Sequence, residues 1–258
     1  MKKLILLLVF TYFNTYSQSI LSNLNSGKSN KFHSNKLVFE TVTNITFYSS
    51  NGIKKEKDIT RFNNKNQVSV EFRYDDNDNL KQRLTWLYDN SETRCVSMIF
   101  ENWHHLLGHT IETTLYEYDT NGFLIKIIAK NQSGIITRQT NLINNEKGDP
   151  VELIGYVNNE IFGRETAEYN YEKNELNIKY FNQKDELINT QSTVIESSKV
   201  QPGDITNEYG DIIQSKKYKE DIKYDKFGNW VKKSFFKISQ DKFIKSSEET
   251  RTIKYLTE

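Results

Sequence analysis

Three histidines stand close together in "ENWHHLLGHT": His104, His105 and His109, with Glu101 and Trp103 just ahead of them. Imidazole and carboxylate are the ligand types of zinc and copper sites, and tryptophan adds a flat apolar face. The spacing "HHxxxH" matches no strict metal motif. Neighbouring residues of a strand point to opposite faces, so His104 and His105 could reach one ion only where the backbone leaves the strand conformation. The segment is therefore expected to be a binding loop formed by Glu101, Trp103, His104, His105 and His109, with no metal, no cofactor and no catalytic residue. The chain has no "GxSxG", no "HExxH" and no phosphate-cradling glycine loop. Its single cysteine, Cys95, cannot form an intramolecular disulfide and is read as a small buried hydrophobe.

What positions these side chains is a recurring turn. "YDKFGNWVKK" from Tyr224, "YDTNGFLIKI" from Tyr118 and "YDDNDNLKQR" from Tyr74 share a tyrosine, an aspartate, two free positions, a glycine-like residue and an apolar strand start. Aligned on the glycine, related segments fall at Gly52, Asp78, Gly122, Gly148, Asn174, Gly210 and Gly228, and the steps 52 to 78, 122 to 148 and 148 to 174 are each 26 residues. A second polar cluster sits near the middle of most intervals, so the chain reverses about every 11 to 14 residues. Asp119 and Asp225 are expected to accept from backbone amides two or three positions on. Gly122 and Gly228 are expected to adopt the left-handed conformation that closes a type I turn with a bulge. The 44-residue step from 78 to 122 holds the histidine segment and reads as an insertion.

Between turns the pattern has period two: in "QVSVEFRYD", Val68, Val70, Phe72 and Tyr74 share one face and Gln67, Ser69, Glu71 and Arg73 the other. The same pairing joins Leu37 with Phe39. No window carries a helical stripe. The fold class is all-β, a long antiparallel β-hairpin meander of YD-type repeats. Accumulated strand twist makes a curled or partly rolled sheet the expected form.

The segments "IKYDKFGNWVKK", "YEYDTNGFLIK" and "FRYDDNDNLKQ" resemble the YD repeats of RHS-like proteins. In that family successive β-hairpins build a long antiparallel sheet that winds into a hollow shell in large members. The resemblance implies hairpin architecture over residues 37–258 and carries over no catalytic residue.

Lys2 and Lys3 precede an apolar run from Leu4 to Phe10, the pattern of a secretory signal peptide over residues 1–18. Residues 19–36 are read as a flexible segment and 37–258 as the repeat domain. No later run is long and apolar enough for a membrane span, so the chain is expected to be exported to the periplasm or the extracellular space. A formal net charge of +1 gives no steering toward nucleic acid. With 13% aromatic residues, the leading expectation is a non-enzymatic binding or structural module for a cell-envelope polysaccharide or protein partner. The alternative is a small secreted metal-dependent hydrolase using residues 101–109.

Overall fold

The computed structural model describes residues 19–25, 32–33, 35–106, 108–196, 200, 202–239 and 242–256. The leader read over residues 1–18 lies outside them.

The expected local signals form strands throughout. In chain order these are β1 (Val38–Ser49), β2 (Gly52–Phe62), β3 (Val68–Tyr74), β4 (Leu80–Tyr88), β5 (Cys95–His104), β6 (Gly108–Tyr118), β7 (Leu124–Asn131), β8 (Ile136–Asn144) and β9 (Pro150–Val157). There follow β10 (Glu160–Asn170), β11 (Glu175–Asn182), β12 (Leu187–Val194), β13 (Ile205–Thr206), β14 (Ile212–Gln214), β15 (Tyr218–Tyr224), β16 (Trp230–Ser239) and β17 (Lys242–Tyr255). All belong to one 17-stranded sheet whose ladders are antiparallel. The one helix among the described residues, α1 (Ile20–Asn25), is six residues long.

One turn design recurs at Asn63, Asp75, Asp119, Asn131, Asn145, Asn182, Asn207 and Asp225. In each, the Asx amide donates to the carbonyl four residues on, and the amide three residues on donates back to the Asx carbonyl. The Asx Oδ1 also accepts the amides two and four positions ahead, as Asp225 does from Phe227 (2.9 Å) and Asn229 (3.0 Å). The residue at the fourth position has positive φ: 86° at Gly122 and 78° at Gly228, but also 61° at Asp78 and 62° at Asp185. This is a type I turn closed by a left-handed residue, and Asn and Asp are the non-glycine types that tolerate it best.

The tyrosines tie these turns together. Tyr224 donates to Asp211 and accepts from Asn207 Nδ2 (2.5 Å), the fifth and first residues of the preceding turn, while the adjacent Asp225 starts the next turn. Tyr255 then donates to Asp225 and accepts from Asn229 (2.8 Å). Tyr171 treats the Asn145 turn likewise, donating to Asp149 (2.7 Å) and accepting from Asn145 (2.7 Å). A Tyr-Asp pair such as 224–225 thus closes one turn and opens another. Burial, reinforced by the bond to Asp225, pushes the Tyr255 hydroxyl up to about 12, so it remains a donor at neutral pH.

The strands group into two compact units. One holds α1, Glu117–Ile128 and Thr137–Ile195, and there the ladder runs β8–β9–β10–β11–β12. Its core is built from cross-strand pairs, Leu142 with Leu153 and Ala167 with Ile178, all at most 7% exposed. In the other unit the order is β13–β14–β15–β16–β17–β1–β2–β3–β4–β5–β6, with the last strand zipped onto the first from Val38↔Tyr255 to Phe47↔Ser247. Val38 is fully buried there, while Leu37 and Phe39 are 38% and 46% exposed, opposite to the apolar pairing read from the sequence. The phase is set by the Val38 amide, which donates to Asn66 Oδ1 (2.8 Å), and by a bulge before Glu40.

Within residues 19–36, the described stretches 19–25 and 32–33 make specific contacts with the strands and their turns. Ser19 caps α1, accepting from the Ser22 amide at its Oγ (3.1 Å). Ile20, fully buried, donates its amide to Glu165 Oε2 (2.9 Å). Further on, Phe32 meets Phe62 edge-on (centroids 5.1 Å apart), and the His33 amide donates to Asn229 Oδ1 (2.8 Å). The Ile20 and His33 amides are thus satisfied by side chains far away in sequence, Glu165 and Asn229.

Candidate functional site

Arg83 on β4, Glu101 on β5 and Ile111 on β6 stand in register and so share one face. Two residues along, Trp103 lies directly opposite His109. Glu101 is only 6% exposed. Its Oε2 accepts from Arg83 Nε, and its Oε1 lies 3.2 Å from His109 Nε2. With Nε2 directed at the carboxylate, His109 keeps Nδ1 for an outside partner. The His109 ring stacks on Trp103, centroids 4.7 Å apart and planes at 18°. The result is an aromatic platform braced by the buried Glu101 carboxylate, which also holds the half-exposed Arg83.

Glu101, Trp103 and His109 thus come together, whereas His104 and His105 lie apart at the turn. These two stack on each other (4.6 Å, 26°), and the Leu106 amide donates to His104 Nδ1 (3.2 Å). Leu107 lies outside the described residues. No group of three His, Cys, Asp or Glu side chains placed to hold a metal ion occurs among the described residues.

The segment is not an insertion. The β5–β6 ladder runs unbroken from Ser97↔Leu115 to His104↔Gly108. Within the 44-residue step, the polar cluster "DNSE" at 89 forms the expected reversal, a turn at Asp89. There the Asp89 amide reaches Arg94 O, one residue further than usual, and Glu92 takes the left-handed position at φ 55°.

The remaining turn residues named from the sequence are placed by the shared design. Asp119 Oδ1 accepts from Asn121 (2.9 Å) and Phe123 (2.8 Å), and Gly122 closes the turn. Cys95 is half-buried, and burial pushes its thiol up to about 11, well away from a reactive thiolate.

A second polar arrangement was not legible beforehand. Directly paired residues Arg251, Thr43, Asp58, Arg73, Gln82, Asn102 and Thr110 form a row on one face of β17, β1, β2, β3, β4, β5 and β6. Burial, then the charge of Glu71, raises Asp58 to about 6, against a smaller pull from Arg73. Burial raises Glu220 as well, and burial lowers Arg251 to about 10. Alternation separates Glu71 and Arg73 from the apolar face of β3, yet all seven residues of the strand are half-buried. The chemistry available here is hydrogen bonding by a carboxyl that stays partly protonated into the weakly acidic range.

No known protein family matches the chain, and no curated protein does. Among solved structures, a porin-like protein from Bacteroides uniformis is similar at 11% identity and a TM-score of 0.46, over 84% of this chain and 96% of that one. A likeness at that level carries no inference about function.

Proposed function

We propose that the protein is an exported, non-enzymatic module of YD-type repeats that binds a cell-envelope polysaccharide through the Trp103–His109 platform. The observation that carries this reading is the stacked Trp103–His109 pair held over a buried Glu101 that also engages Arg83. A sugar ring presents an apolar face to an aromatic plane and hydroxyls to its rim. His109 Nδ1 and the Arg83 guanidinium supply polar groups at that rim. A platform pre-set by cross-strand register loses little side-chain freedom on binding.

The test is affinity electrophoresis against a panel of envelope polysaccharides. Trp103→Ala is expected to weaken binding roughly thirty-fold, the scale of an aromatic hot spot, with His104→Ala unchanged. Absence of binding to every polysaccharide, or equal binding by Trp103→Ala, counts against the reading, and capture of an envelope protein instead reassigns the partner. Zinc calorimetry addresses the alternative: micromolar binding lost in His109→Ala would support the metal-dependent hydrolase. Export is tested by fractionation with N-terminal sequencing, where an intact Met1 in a cytoplasmic pool refutes it.

A further inference from the structure

β12, Leu187–Val194, ends the β8–β12 run, with its ladder made to β11. Its sequence LINTQSTV is the only one among the described strands longer than three residues that lacks a charged side chain. Seven of its eight residues are exposed, with Leu187 at 56%, Ile188 at 65% and Val194 at 39%. Strands at the end of a run usually carry a lysine, a proline or an inward charge that stops another chain from pairing with them. β12 carries none of these, and its composition is β-prone.

The strand is also complementary to itself. A two-fold axis normal to the sheet keeps each side chain on its own face, so it pairs antiparallel residues whose numbers sum to an even total. With the axis at Gln191, Asn189 stands opposite Thr193, Thr190 opposite Ser192, and Gln191 opposite its own copy, with Val194 and the bulged Ile188 at the ends of the paired stretch. Hydroxyl meets hydroxyl, and Gln191, whose Oε1 accepts from the Tyr180 hydroxyl (3.0 Å), keeps its Nε2 donors for the partner's Gln191. We infer that β12 is a dimerisation edge, on which a second copy of this chain adds its own β12 antiparallel about Gln191.

Pairing of this kind supplies main-chain hydrogen bonds for affinity and lets the alternating side chains set the register. The bulge at Ile188, where the β11 register shifts between Tyr180 and Phe181, limits the paired stretch at one end. Second copies are favoured over foreign strands because the side-chain pattern is symmetric about one residue, which a heterologous partner has no reason to match.

Sedimentation velocity on the purified chain, from micromolar to near-millimolar concentration, is the primary test. The expected result is a mass that doubles with concentration for the wild type and stays monomeric for Thr190→Lys. Thr190 is exposed, so an unchanged circular dichroism spectrum and melt will show that this variant folds. Register is tested separately: Gln191→Cys is expected to give a covalent dimer under mild oxidation. A wild type that remains monomeric, a dimer that survives Thr190→Lys, or a dimer in which Gln191→Cys fails to cross-link would each overturn the inference.

Discussion

Three turn glycines offer a graded test of what the repeat demands of its fourth position. Gly210, Gly228 and Gly148 have nearly the same backbone, with φ of 81°, 78° and 83°. The space around them differs. A Cβ at Gly210 would meet nothing within 4 Å, one at Gly228 would lie 3.2 Å from Tyr209 Cε1, and one at Gly148 would lie 2.6 Å from Phe123 Cδ1 and Cε1. Alanine in a left-handed conformation costs about 1 to 2 kcal/mol, and this cost is shared by all three sites. Gly210→Ala should lose only that. Gly228→Ala requires Tyr209 to give by a few tenths of an ångström and should lose slightly more. At Gly148 the ring must withdraw by roughly 1 Å to restore an ordinary carbon contact. The Phe123 backbone cannot follow, being held by Asp119 at both its amide (2.8 Å) and its carbonyl (2.9 Å). Overpacking of this kind adds about 1 to 3 kcal/mol, so Gly148→Ala should lose about 2 to 5 kcal/mol in all. The assay is denaturant unfolding, reading the shift in midpoint at unchanged slope. A double-mutant cycle with Phe123→Ala should recover the added loss as a coupling energy. Equal losses for Gly210→Ala and Gly148→Ala would refute the reasoning, because the ring contact would then have no energetic content.

Three further outcomes are expected. Tyr255→Phe removes one donor from Asp225 and one acceptor from Asn229, and should cost about 1 to 2 kcal/mol in a melt; no loss would mean that the tyrosine does not fasten the turn. Asp58 is raised in the fold, so its favourable contribution is complete below its ordinary value of 3.8 and is lost as the pH rises through about 6. Asp58→Asn should therefore stabilise the chain at pH 8 by about 1 to 2 kcal/mol after allowance for solvent screening, and by almost nothing at pH 4; an equal effect at both pH values would contradict burial as the cause. Far-ultraviolet circular dichroism should show a β-dominated spectrum with under about 10% helix, and a strong helical signal would overturn the strand assignment.

The sequence by itself determined the turns and the strand class. A hairpin turn is a local object: Asp225 builds it with amides no more than four residues away, and Gly228 closes it through its own φ. Both effects are written in five consecutive residues. The polar cluster "DNSE" at 89 marked a reversal there, but not that Glu92, a type that avoids positive φ, would be held in the left-handed position by the flanking strands. Tertiary structure alone decided the pairing of β1 with β17, the bonds of Tyr224 and Tyr255 to turns outside their own, and the seat of Ile20 against Glu165. At the candidate site the residue types of Glu101, Trp103 and His109 were visible, but not that register would unite these three, leave His104 and His105 apart, and recruit Arg83 from the strand before. Alternation tells which neighbours along a strand share a face. Which strands lie side by side, and in what register, is set by contacts among residues far apart in the chain, and no local pattern encodes those.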